Sequence, residues 1–211
     1  MPFLMTFGDS NTHGTPPIVT RGEYRRFGTG VRWPQVCWRA LGAGWELAEE
    51  GLPGRTAQFS DPVMGAHMNG QDGLKIALQS HGPVDVLTLM LGTNDVKARF
   101  SATPEAVTAG IAGLVDIALS LEMQARHGGF RVLLICPPPV AEVGPLAGEF
   151  LGAKSRSLGL VSRYRALAET RAIGFLDAGD FIEVSPQDGI HFEPEAHHAL
   201  GLAVADAIQA L

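Results

Sequence analysis

The chain has 211 residues, a formal net charge of −6 and a sequence pI near 5.6. That length suits one α/β domain spanning residues 1–211, and 45% apolar residues supply the material for a full core. The acidic balance argues against a nucleic-acid partner, which needs clustered Lys and Arg. The nearest basic stretch, "RGEYRRFG" from Arg21, is short and interrupted by Glu23, and reads as a solvated loop at a pocket rim.

Two cysteines, Cys37 and Cys136, lie far apart without C-x-x-C spacing, so neither a disulfide framework nor a zinc site has support. Cys136 ends the run "VLLIC" and reads as a small buried hydrophobe. The opening "MPFLMTFGDS" lacks a basic n-region, and Asp9 stops its apolar stretch early. No run approaches membrane-spanning length. The expectation is a cytoplasmic protein without membrane contact.

Continuous apolar runs predict buried parallel strands at "FLMTF" from Phe3, "WELAE" from Trp45, "VDVLTLML" from Val84, "RVLLIC" from Arg131 and "IGFLD" from Ile173. The second is diluted by Glu46, Glu49 and Glu50. Between the strands, Val107, Ile111, Leu114, Val115 and Ala118 share one face of a helix expected over Pro104–Met123, with Thr103 as its N-cap. Shorter helices are expected over Trp33–Leu41, Leu74–His81 and Val161–Arg171. A last helix opens at Pro194 and aligns Leu200, Val204, Ile208 and Leu211. This alternation predicts a doubly wound three-layer α/β sandwich with a five-stranded parallel sheet in the flavodoxin-like order 2-1-3-4-5. Ligands in such sheets bind beyond the carboxyl ends of the strands.

Small polar residues follow four of those strands. After the first comes Gly8-Asp9-Ser10, where Ser10 by itself reads first as a helix N-cap, with part of a phosphate cradle or a nucleophile as the alternatives. "DGIHF" places Asp188 three residues before His191. A histidine there can take a serine proton, and the aspartate can fix its tautomer, although Asp-Gly is also an ordinary turn. "LGTND" offers the Asn94 amide, and "PGRT" offers the Gly54 N–H. Together with the Ser10 N–H these make three donors for an oxyanion. Asx-turn and turn-glycine readings suit Asn94 and Gly54 singly, but not the whole set on one sheet edge.

These blocks, in this order, resemble the SGNH (GDSL-type) hydrolases. "EEGLPGRT", "VRWPQV", "LMLGTNDVKARF", "CPPPVA" and "DGIHF" look like the bacterial arylesterase and acyltransferase branch along nearly the whole chain. The resemblance implies Ser10 as nucleophile, His191 as base and Asp188 as its orienter. Gly54, Asn94 and the Ser10 amide would form the oxyanion hole, with no metal or organic cofactor. It further implies hydrolysis of short-chain or aryl esters, with acyl transfer to alcohols or carbohydrate O-deacetylation at the same site as variants. Asn11 and His13 stand where the branch often has Leu and Trp, which makes them candidates for substrate binding. Trp33, Met68 and Asn69 are candidates for pocket wall. His67, His81 and His127 read as surface or loop residues, and Asp95 as a structural hydrogen bonder in its turn. The diverged stretch "EVGPLAGEFLGAKSRS" leaves a homo-oligomer open. A phosphate- or nucleotide-binding flavodoxin-like module is the rival from another class, and "DGIHF" speaks against it.

Overall fold

The computed structural model describes all residues from Met1 to Leu211. Five strands, β1 (Phe3–Gly8), β2 (Glu46–Gly51), β3 (Val86–Met90), β4 (Arg131–Cys136) and β5 (Gly174–Asp177), form one parallel sheet. Their order is β2-β1-β3-β4-β5, the doubly wound order expected. Pairing sets Leu4 opposite both Leu47 and Val86, then Val86 opposite Arg131 and Leu133 opposite Gly174.

Strands β1, β3 and β4 are buried along nearly their whole length because helices cover both faces. The two-residue alternation sends Met5, Phe7, Leu87, Leu89, Val132 and Leu134 to one face. Leu4, Val86, Met90, Leu133 and Ile135 go to the other. Strand β2 carries its three glutamates because it lies at the sheet edge. There Glu49 pairs with Arg32 and Glu50 with His81.

The first face is covered by α3 (Gly70–Ser80), α4 (Pro104–Ala118), the short α6 (Ala153–Leu158) and α7 (Leu160–Arg171). The second is covered by α2 (Trp33–Leu41) and α8 (Pro194–Gln209), which pack on each other. Their approach needs Gly201, where a Cβ would stand 2.6 Å from Val36 Cβ and 2.9 Å from the Trp33 carbonyl. The helix expected over Pro104–Met123 is broken. Thr103 caps α4 as anticipated, accepting from the Ala106 N–H, but α4 ends at Ala118. Ser120 then caps a separate α5 (Leu121–His127) by accepting from the Met123 N–H, with a 49° bend between the two. A serine in a long apolar pattern acts here as a restart signal. Helix α3 also begins earlier than expected, because Asn69 caps it by accepting from the Gln71 N–H. No single helix is long and apolar enough to cross a membrane. The bent pair of α4 and α5 meets length and composition limits only in combination, and the apolar side chains of α4 lie in the core.

Candidate active site

Strand β1 ends at Gly8, where a Cβ would lie 2.1 Å from Thr12 Oγ1 and 2.8 Å from the Met90 carbonyl. Only glycine allows the chain to turn there into the single-turn helix α1 (Ser10–His13). Asp9 is its N-cap, accepting from the Asn11 N–H at 2.9 Å. Ser10 is therefore the first helical residue rather than the cap. Its hydroxyl is not used to close the helix, and its N–H has no intrahelical acceptor.

The hydroxyl meets His191. Ser10 Oγ lies 3.0 Å from His191 Nε2, and His191 Nδ1 lies 2.6 Å from Asp188 Oδ2. The carboxylate requires the proton on Nδ1, which leaves Nε2 as acceptor for the Ser10 hydroxyl. Asp188 Oδ1 accepts from the N–H groups of Ile190 and His191 at 3.0 Å each, and Oδ2 accepts from the Ile18 N–H at 2.7 Å. All three side chains are buried to within a few per cent of full cover. Burial alone pushes the Asp188 carboxyl up. The hydrogen bond from His191, its charge, and the N–H groups of Ile18 and His191 outweigh that and hold it below the ordinary carboxylate range.

Ser10, Gly54 and Asn94, the residues of the three expected donors, line one pocket of about 200 Å³ together with His191. Asn94 Nδ2 is fixed by donating to the Arg55 carbonyl at 3.1 Å and lies 3.4 Å from Asp9 Oδ2. Gly54 adopts φ +91°, a left-handed conformation that suits glycine. Arg55 stitches the loop to β1 by donating to the Gly8 carbonyl at 3.0 Å, with its guanidinium 4.0 Å over the Phe7 ring. Gly51 is the last residue of β2. It permits close approach, since a Cβ would stand 2.2 Å from the His13 nitrogen.

Asp95 is a structural hydrogen bonder, and besides accepting from its own N–H it reaches across to the Gly54 loop. Both its oxygens accept from the Ala57 N–H, at 2.9 and 3.0 Å. Burial raises the Asp95 carboxyl to about 7, although the Ala57 N–H opposes the shift. Asp9 is likewise raised by burial, to about 6.

Asn11 and His13 do not line the pocket. One short turn can present only its first residue to the sheet edge, so both fold back into the protein. Asn11 is buried and donates from Nδ2 to the Ile190 carbonyl at 3.1 Å. His13 Nδ1 faces Thr15 Oγ1 at 3.2 Å, and its Nε2 faces the Tyr24 hydroxyl at 3.4 Å. The basic loop does shape the rim, through Glu23 and Tyr24.

Met64, not Met68, forms the wall beside Gly54, while Trp33 belongs to the core and Asn69 to a helix cap. His127 is buried rather than on the surface, its Nδ1 accepting from the Val84 N–H at 3.1 Å. His197 is buried against Phe27 and Phe192, and burial pushes it down to about 3, so it stays neutral. Sequence reasoning missed Lys97, Glu149 and Phe150, which also line the pocket. A lone lysine directly after the "GTNDV" segment was the available signal for the first. The other two sit in a segment without pattern.

The family model of GDSL-like lipases and acylhydrolases matches residues 6–199. A carbohydrate acetylesterase from Sinorhizobium meliloti superposes with a TM-score of 0.94 at 36% identity, covering 100% of this chain and 99% of its own. The native aryl esterase of M. smegmatis gives 0.94 at 35% identity with 100% of both chains covered. A carbohydrate acetylesterase family member from Sinorhizobium meliloti gives 0.88 at 31%, covering 100% of this chain and 98% of its own. Among curated protein sequences, none matches. With the family model spanning most of the chain and relatives above 30% identity over its full length, this protein belongs to the GDSL-like lipase/acylhydrolase (SGNH) family and is a carboxylic ester hydrolase.

Proposed function

We propose that Ser10, His191 and Asp188 perform this hydrolysis as a nucleophile, base and orienter, on esters of short acyl chains. The observation that carries the reading is the chain of hydrogen bonds from Ser10 through His191 to Asp188, at 3.0 and 2.6 Å. It opens on the same pocket as the Gly54 and Asn94 donors.

His191 Nε2 takes the hydroxyl proton as Ser10 Oγ attacks the ester carbonyl. Negative charge develops on the carbonyl oxygen against the N–H groups of Ser10 and Gly54 and the amide of Asn94. Asp188 stays ionised and stabilises the imidazolium. The alcohol leaves with the proton from His191, and water attacks the acyl-enzyme by the same route in reverse. An alcohol taking the place of that water would give acyl transfer.

The small pocket favours acetyl-sized acyl groups, with an aryl alcohol as the first substrate to try. A carbohydrate acetyl ester is the second reading, favoured by the polar rim of Glu23, Tyr24 and Glu149. The partner is thus a small-molecule ester rather than a nucleic acid or a membrane. We infer a cytoplasmic location, with which the two unpaired cysteines Cys37 and Cys136 agree, and a homo-oligomer is compatible with the exposed Tyr24 and Leu151. Phenol release from aryl acetate, butyrate and octanoate, by native protein and Ser10→Ala, tests the reading. Activity that falls with acyl length and vanishes with the hydroxyl supports it. Activity that survives Ser10→Ala overturns it.

A further inference from the structure

Lys97 is buried, its side chain 7% exposed, and it forms part of the wall of the pocket that holds Ser10. An ammonium offers three donors and no acceptor. Lys97 Nζ makes no hydrogen bond to the protein. Its nearest carboxylate oxygen, Glu149 Oε2, is 4.0 Å away, and the Phe150 ring centre is at 5.6 Å.

Glu149 is not a dedicated partner for it. Arg21 holds Glu149 Oε1 and Arg99 holds Oε2, so both oxygens are engaged by guanidinium groups. Asp61, 3.7 Å from Arg99, accepts from the N–H groups of Val63 and Met64 at Oδ1 and leaves Oδ2 without a hydrogen bond, but it forms no ion pair with Lys97. Asp9, whose charge Lys97 also feels, has its oxygens directed at the Asn11 N–H and the Asn94 amide. Burial first, and then the nearby Arg99, lower the Lys97 pKa. The carboxylates of Glu149, Asp61 and Asp9 offset that burial only in part, and the wall that Lys97 helps to form is that of the pocket holding Ser10.

Resting on the assignment of Ser10 as nucleophile, we propose that Lys97 is a substrate-recognition residue, and that the preferred substrate is an ester carrying a carboxylate near its scissile carbonyl. The ammonium donates to that carboxylate while the carbonyl oxygen sits among Ser10, Gly54 and Asn94. The carboxylate belongs either to the acyl part, as in a hemi-ester of a dicarboxylic acid, or to the alcohol part, as in an acylated hydroxy acid.

Binding to the uncleaving Ser10→Ala protein separates these sources and needs no turnover. Calorimetry would use 3-acetoxybenzoate against 3-acetoxybenzamide for the alcohol side, and monomethyl succinate against methyl succinamate for the acyl side. One of the two anions should bind at least tenfold more tightly than its amide. Adding Lys97→Met should bring that ratio to within about twofold, and Lys97→Gln, which keeps a donor without the charge, should do the same. Thermal melting checks that each double variant is folded, and the glutamine variant serves if the methionine variant is not. Equal binding of anion and amide in both pairs, no binding by any ligand, or a preference that survives loss of the charge would overturn the proposal. Phenyl acetate cleavage by native protein and its loss in Ser10→Ala tests the nucleophile assignment separately.

Discussion

The Asn11 side-chain amide donates to the Ile190 carbonyl at 3.1 Å, tying the helical turn that begins with Ser10 to the peptide immediately before His191. Nucleophile and base come from segments 181 residues apart, and their 3.0 Å contact needs a link between those segments. Asn11→Leu keeps the volume and removes the link. The variant should lose about 1–2 kcal/mol of stability, because a buried carbonyl loses its donor. Its kcat should fall about tenfold while KM changes little, since the misplacement affects the reacting pair rather than the pocket wall. The rate of modification by a serine-directed phosphonate should fall in parallel. An unchanged phosphonylation rate would show that other contacts hold the pair.

Removing the triad members separates nucleophile from orienter. Ser10→Ala should reduce kcat/KM by at least ~10⁴-fold with no loss of fold, because the hydroxyl is not the helix cap. Asp188→Asn should cost on the order of 10³–10⁴ in kcat, since the amide favours the wrong imidazole tautomer. Initial rates with an aryl acetate, alongside thermal melts, measure both. Wild-type rates in Asp188→Asn would sink the orienter role.

Asn94 is held by the Arg55 carbonyl, so its amide is fixed before substrate arrives. Asn94→Ala should lower kcat by about 10²–10³-fold, the usual effect of deleting one oxyanion donor. The loss should appear in kcat more than in KM, because the charge it meets develops only in the transition state. A change confined to KM would make Asn94 a ground-state contact.

Asp95 gives a pH-dependent prediction. Its folded carboxyl is raised to about 7 by burial, so it keeps its proton across a range where the unfolded chain has lost it. Folding therefore takes up a proton between the ordinary carboxylate value and about 7, and the stability contributed by this group falls as pH rises through that window. Asparagine cannot ionise and retains one oxygen for the Ala57 N–H. The stability of Asp95→Asn relative to native should thus improve by ~1 kcal/mol or more between pH 4.5 and 8, measured by urea unfolding. A pH-independent difference would mean that the carboxyl ionises normally in the fold.

The sequence by itself determined the sheet and its order. Continuous apolar runs at Phe3, Val84 and Arg131 can be satisfied only by strands covered on both faces, and their local signals depend on neighbours in the chain. It also determined the candidate triad and donors, because Ser10, Gly54, Asn94, Asp188 and His191 each follow a strand, and strand ends share one edge. Tertiary structure decided what those local signals could not reach. Whether Asn11 and His13 faced substrate depended on the Ile190 carbonyl and Tyr24, which lie far off in sequence or in an unpatterned loop. The burial of His127 and His197 and the place of Lys97 in the pocket wall are likewise set by packing between distant segments. Periodicity reports which face of an element is apolar, but the partner that a polar side chain finds there is fixed only when the layers close.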